Sequence, residues 1–469
     1  MMDSETLRLS RDAGLAVHER YPLAATGPGR SSVRSVVGPR SGNRRDWNRL
    51  LTWSLSLMIL VFIGRVQEAI PGIPNIQLGN IAVLLTLVGM VQLGYLRDAV
   101  RALSPPQSRL MLGFVGIAAF SVPFALWSGG AFQSLLGFLK TLVLFVMIVI
   151  AVRRPKHLTH LTTVFAISAA ILVNAYVIDW LVGGGALTEQ EFVAFDRNDV
   201  ALLSVMAIPF ALLLTIKGGI RSWAGFALAG FLALGVVATD SRGGFLALAA
   251  TSAMMLFSSR ILSAGKKVVL VSVGVAALMV GGSAEYWERI EAVFTAPSAD
   301  YNFTSRDGRI QVWERGIGYF LEHPLTGVGI GNFPVAEGES LTDEGFGVKW
   351  STAHNAYILA AAELGIGGLL LFLAILLSVS RQAKHSGSGR KRGRAPPDSE
   401  LVAVAEATRY SVLGYSVGAI FLSVTFSVSF VFLVAIGASL NLLTRVSVPT
   451  LEPGRLREKR LKQSGFRGR

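Results

Sequence analysis

The 469-residue sequence contains no cysteine and little charge: Asp, Glu, Lys and Arg make up 16% of it, against 52% hydrophobic residues. The missing cysteine excludes disulfides, thiolate nucleophiles and Cys-ligated metals, and leaves the redox compartment open. The shortage of charge excludes a soluble chain folded round one core, because so much apolar surface has to face lipid. A cleavable secretory signal is not expected, since the first apolar run begins only at Leu50, behind a polar, Arg-rich segment. P-loops, solenoid repeats and zinc spacings are absent too. Acidic residues such as Asp343 and Glu344 form no cluster of several ligands, so neither a metal nor any other cofactor is called for.

What the sequence does contain is a series of apolar runs of bilayer-spanning length, about 17 to 25 residues, with the charges collected between them. The runs predict spans near 50–64, 78–95, 109–127, 135–152, 161–182, 198–216, 222–239, 244–259, 268–282, 354–379, 411–427 and 429–444. The expectation is an all-α polytopic membrane protein of about twelve transmembrane helices. Residues 1–46 are expected as a disordered basic tail, 47–282 as spans one to nine, and 283–353 as one large outer loop. Residues 354–445 follow as spans ten to twelve with a basic linker at 381–398, and 446–469 as a second basic tail.

Lys and Arg alternate along this series, because basic loops resist translocation. With the N-terminus inside, most of the 44 basic residues fall in cytoplasmic segments, among them Arg97, Arg153, Lys217, Lys266 and the stretch from Arg381 to Arg394. A net charge of +14 does not indicate nucleic acid here. The basic residues are spread over every inside loop and both tails without aromatic interleaving, which suits topology and anionic lipid headgroups as partners.

The long outer loop is where chemistry is expected, since loops of that length are functional or disordered. Tyr286 to Phe294 and Arg309 to Leu321 have apolar residues at helical spacing, the second with Ile310, Trp313, Ile317 and Phe320, and such helices would lie on the bilayer or on the bundle. Of the six histidines only His323 and His354 fall outside. His323 follows the second helix, where its ring either caps the last carbonyls or serves a site; His354 stands at the mouth of a span. Arg242 sits in the tight connection Asp240-Ser241-Arg242-Gly243-Gly244, at the membrane boundary, where an arginine snorkels or meets an anion. Arg309 opens a helix whose dipole it opposes, which points to an anion nearby, with Arg306 and Arg315 close in sequence. Lys140 interrupts a span about a turn and a half from its outer end. The run Gly327-Val328-Gly329-Ile330-Gly331 follows no βαβ strand and reads as tight-turn chemistry rather than a dinucleotide site.

Four segments carry a resemblance. They are Asn198-Asp199-Val200-Ala201 opening a span that reaches Pro209; Ser241-Arg242-Gly243-Gly244; Arg309-x-x-x-Trp313 running into His323-Pro324-Leu325-Thr326-Gly327; and His354-Asn355 followed by Glu363-x-Gly365-x-x-Gly368. In these segments, and in the single large loop between spans nine and ten, the chain resembles the O-antigen ligase and polymerase superfamily of bacterial membrane glycosyltransferases. The resemblance implies a metal-independent enzyme of envelope polysaccharide assembly in the bacterial inner membrane. Both termini would be cytoplasmic, and the partly helical loop and active site periplasmic. The donor would be a saccharide on undecaprenyl diphosphate, and the acceptor lipid A core or a growing glycan. The family's essential arginines and histidine would fall on Arg242, Arg309 and His354. Lys140, Arg306, Arg315, His323, Asn198 and Asn355 are the candidate substrate-binding residues. A polymerase of the same superfamily and a small-anion transporter or flippase are the rival readings; the latter would need polar groups along a path through the midplane, and apart from Lys140 the spans offer no ionisable residue near mid-depth.

Overall fold

The computed structural model describes residues 46–67, 77–182, 196–260, 262–281, 305, 308–343, 350–387 and 398–446. The expected tails, the helix from Tyr286 to Phe294 and most of the basic linker lie outside the described residues. Among the described residues every regular element is helical: α1 (Arg49–Phe62), α2 (Leu78–Leu93), α3 (Pro106–Ser121), α4 (Ser128–Ala151), α5 (Pro155–Leu181), α6 (Arg197–Ala211), α7 (Gly219–Ala238), α8 (Arg242–Ser258), α9 (Ala264–Gly281), α10 (Arg309–Glu322), α11 (Phe333–Asp343), α12 (Ala356–Gly387), α13 (Ser399–Gly418) and α14 (Val428–Val446). Seven of the helices described are long and apolar enough to cross a membrane, or eight if Leu78–Leu93 and the 3-10 turn Tyr95–Leu103, bent by 107°, form one span. Arg49–Phe62 and Arg242–Ser258 are apolar but shorter. The chain is a multi-pass membrane protein.

Hydrogen bonds and ion pairs between helix ends define two poles of the bundle. Arg101 reaches the carbonyl of Val152, Lys217 pairs with Glu400, and the backbone of Arg260 donates to Glu406, which places the basic connections together at one pole. The starts of α2, α6, α8, α12 and α14 lie at the other.

The core between the poles is built from helices apolar on every face, as helices surrounded by other helices must be. In α6 every residue from Val200 to Ala211 is buried. Phenylalanines from four elements meet at the centre: Phe114 of α3, Phe138 of α4, Phe372 of α12 and Phe430 of α14, joined by Phe426 with ring centroids 5.2 Å from Phe138 and 5.7 Å from Phe114. Tilted and edge-on pairs of this kind add to the area they bury.

Two departures from helical regularity shape the site pole. α12 breaks at Gly365, whose φ of 66° and ψ of −167° only glycine adopts without strain. The loop after α10 fills the break: the amides of Val328 and Gly329 donate to the carbonyls of Ala362 and Glu363, and the amide of Ile366 donates to the carbonyl of Pro324. Backbone groups freed by the break are thereby satisfied, the condition for irregular backbone within a membrane protein. This is the turn chemistry expected of the 327–331 glycines.

The second departure corrects the expected span 411–427. The helix there is α13, Ser399–Gly418, and residues 419–427 are not helical. Their backbone is engaged sideways instead. The carbonyl of Ala419 accepts from the amide of Ala356, the carbonyl of Val424 accepts from the Tyr415 hydroxyl, and Thr425 donates to the carbonyl of Ala356.

Candidate functional site

The 419–427 segment is the hub of the site pole. Ser423 Oγ accepts the backbone amide of His354 at 2.8 Å, and a Cβ on Gly243, next to Arg242, would come within 2.9 Å of Phe421. Phe421 and Ser423 are two residues apart, about 7 Å at full extension. One short segment therefore meets the backbone beside Arg242 and that of His354, which are 112 positions apart in the chain.

Each is also fixed by its own element. Arg242 is the first residue of α8; Ser241 caps that helix by accepting from the amide of Gly244, and its hydroxyl donates to Oδ1 of Asn198 at 2.7 Å. Asn198 therefore holds the α8 cap against α6. Asn355 is buried and caps α12, its Oδ1 accepting from the amides of Tyr357 and Ile358. His354 precedes that cap with a φ of 46°, in the left-handed region. A β-carbon there costs energy, and such backbone persists where the surroundings over-determine it, as they do at binding and catalytic sites. Among the described residues the other non-glycine positions with left-handed backbone are Arg65 and Asp240, the second directly before Ser241.

Arg309 opens α10, which packs on the first turns of α12. Gly316, buried, allows contact with Ile358 and Phe333. The face of α10 packed on the protein is Val312, Gly316 and Tyr319, so of the two expected surfaces for the stripe of Ile310, Trp313, Ile317 and Phe320, bilayer or bundle, the bundle takes a different face of the helix. Ile317 and Leu321 are exposed. The small side of the helix can approach the bundle more closely than the bulky one, which is how helices pack in membrane proteins.

Arg315 turns to a protein partner. Its Nε and Nη2 donate to the two oxygens of Glu337 at 2.9 and 2.8 Å, and Tyr319 adds its hydroxyl at 3.0 Å. Burial first, and then the Glu337 carboxylate, push the Tyr319 phenol well above its ordinary value, so it stays a donor. The pair clamps α10 to α11. His323 ends α10 with its ring exposed, while its amide donates to the carbonyl of Tyr319 and its carbonyl accepts from the amide of Gly327; the geometry is that of a helix end. Arg306 lies outside the described residues. Lys140 lies midway along α4, because that helix begins at Ser128 rather than near residue 135, and its side chain is exposed.

Beside the hub is a cavity of about 650 Å³, within the size range of small-molecule sites. Its walls come from the end of α1, the starts of α2, α6 and α14, and the 419–427 segment; Arg65, Gln67, Thr141, Asp199, Ser423 and Ser427 supply much of its polar lining. Asp199 adjoins Asn198, which bonds to Ser241, and Ser423 holds His354. None of these wall residues except Asp199, which belongs to a quoted motif, stands out in a hydropathy reading. One signal is present: Ser423, Thr425, Ser427 and Ser429 alternate with apolar residues inside an apolar run, a period of two that a helix would not produce.

No curated protein sequence matches the chain. Residues 226–373 match the family model described as O-antigen ligase. Arg242, Arg309 and His354 lie inside the matched segment, and the chain carries a domain of the O-antigen ligase and polymerase superfamily.

Proposed function

We propose that the protein is a metal-independent glycosyltransferase that moves a saccharide from undecaprenyl diphosphate to an acceptor hydroxyl, in the manner of an O-antigen ligase. The observation that carries this reading is the common attachment of Arg242 and His354 to the 419–427 segment. In this reading the chain crosses the inner membrane about twelve times, the termini are cytoplasmic, and the site pole with α10 and α11 faces the periplasm.

The lipid diphosphate carries two or three negative charges at the membrane boundary, and arginine is the side chain best shaped to hold them, through bidentate pairing. Arg242 and Arg309 take that role, and Lys140 adds a cation from α4. His354 removes the proton of the acceptor hydroxyl, the work imidazole does most often. The acceptor oxygen bonds to the anomeric carbon as the bond from that carbon to the phosphate oxygen breaks. The electron pair leaves with the diphosphate, where the arginines stabilise it by about 3 to 4 kcal/mol per donor. Attack opposite the leaving group inverts the anomeric centre.

The test is transfer from lipid-linked donor in membranes containing His354→Ala or Arg242→Ala. Each variant is expected to lose at least about a hundredfold in rate while inserting at wild-type levels. Wild-type transfer by either refutes the assignment. Surface glycans of cells lacking the gene then separate ligase from polymerase: polymer made but unattached marks a ligase, single repeat units a polymerase.

A further inference from the structure

We infer that the 650 Å³ cavity beside the hub seats the acceptor, as an uncharged, hydroxyl-rich saccharide, and that Asp199 and Gln67 determine how tightly it is held. This inference rests on the transfer reaction proposed above.

The charge of the wall separates the two substrates. Among the described residues its ionisable groups are one guanidinium, Arg65, and one carboxyl, Asp199. A diphosphate would find a single guanidinium there and no second cation beside it, so the wall lacks the paired cations that hold such a group. Sugar hydroxyls both donate and accept, and this wall offers both: the Asp199 carboxylate as acceptor, the Ser423 and Ser427 hydroxyls as either. The Gln67 amide oxygen is buried and finds no hydrogen-bond partner among the described residues. A buried acceptor left in that condition costs about 1–3 kcal/mol, which a bound hydroxyl would recover. Phe62 and Phe426 supply apolar surface of the kind that packs against the C–H faces of a sugar ring. A lipid chain, by contrast, would leave the carboxylate and the amide without partners.

Position supports the same assignment. Asp199 is the sequence neighbour of Asn198, which holds the Arg242 cap, and Ser423 holds His354, so the cavity opens beside both members of the proposed catalytic pair. An acceptor seated there presents its hydroxyl to the base from the protein side, while the arginines hold the diphosphate at the membrane boundary.

The experiment uses the full-length protein in membranes, with lipid-linked donor and, as acceptor, the envelope glycan fraction extracted from cells lacking the gene. Asp199→Asn keeps the shape and removes the charge. Gln67→Leu removes an oxygen that has no partner among the described residues, so it is not expected to destabilise the fold. Either variant is expected to raise half-saturation for acceptor about tenfold or more, as losing a hydrogen bond to a buried polar or charged group does, with half-saturation for donor unchanged. A rise for donor, an equal rise for both, or a fall in kcat alone overturns the inference, and so does the absence of any change. If Asp199→Asn does not fold, Gln67→Leu decides by the same criteria. Failure here with His354→Ala still inactive removes the acceptor seat alone; transfer surviving His354→Ala removes the reaction reading itself.

Discussion

The two poles of the bundle are both rich in polar contacts, and they use them differently. At the basic pole Asp46 engages Lys156, His157 at 2.6 Å and Arg154 at 3.6 Å, and Trp47 stacks on the His157 ring at 4.1 Å. Arg153 meets Asp98 at 3.3 Å and lies 4.5 Å over the Tyr95 ring. Charges there are matched within the protein. The left-handed backbone positions of that pole, Gly94, Gly218 and Gly219, belong to glycine, which holds them without strain. At the cavity pole Arg65, Asp240 and His354 hold the same conformation with a β-carbon, at a cost of about 1–3 kcal/mol each. Charge density therefore marks neither pole as the site. Strained backbone beside a polar cavity distinguishes one of them.

Arg315 gives the largest test of that distinction, because it sits at the cavity pole yet is paired in the manner of the basic one. Its partner Glu337 is fully buried. Glu337→Ala leaves the guanidinium without its carboxylate and is expected to destabilise the protein by about 3–5 kcal/mol, read as loss of folded protein in membranes. The double variant Arg315→Met with Glu337→Leu is expected to recover both folded protein and transfer, since well-packed apolar replacements for a buried pair are often neutral or stabilising. A folded double variant without transfer would return Arg315 to the substrate.

The same contrast explains what the sequence made legible. Most of the expected apolar segments coincide with helices, because composition and length determine where a helix can lie in lipid, although seven or eight of the described helices are long and apolar enough to cross it. Asn355, expected at the substrate, caps α12, whereas the helix from Arg309 was readable from local chemistry alone. The pairing of Arg315 with Glu337 was not, since it joins residues 22 apart on separate helices. Nor was the irregular 419–427 segment, which is as apolar as the helices beside it; hydropathy measures what a segment is made of, and its backbone path is set by partners on α12 and α13. Gly365 stood in a quoted motif, but nothing local says that a helix breaks there, because the loop that completes the break comes from residues 324–329.

Arg309 provides the next test. If it holds an anion through paired hydrogen bonds, Arg309→Lys keeps the charge and loses the fork. Transfer is expected to fall about ten- to a hundredfold, the worth of one hydrogen bond to a charged group, with insertion unchanged. Near-full activity would show that charge alone suffices at the head of α10, without the paired hydrogen bonds proposed for Arg309.

The smallest effect belongs to Asp46, at the far pole itself. Burial acts to raise its pKa, but hydrogen bonds from His157 and Lys156 and from the amide of Trp47 outweigh it and hold the carboxyl at about 2, below its ordinary 3.8. A carboxyl depressed by folding contributes stability that is fully present above the unfolded value and is lost as pH falls from about 4 towards 2. Asp46→Asn removes that contribution at every pH, so the variant should lose its share of the acid-unfolding slope in this window. Its glycan transfer at neutral pH should stay within about twofold of wild type, as expected for a substituted surface ion pair. The measurement is acid unfolding of the two proteins in the same membranes, with transfer assayed beside it. Should Asp46→Asn reduce transfer as far as His354→Ala does, the ionic cluster at the basic pole would belong to the catalytic machinery, and strain would lose its value as the mark that separates the two ends.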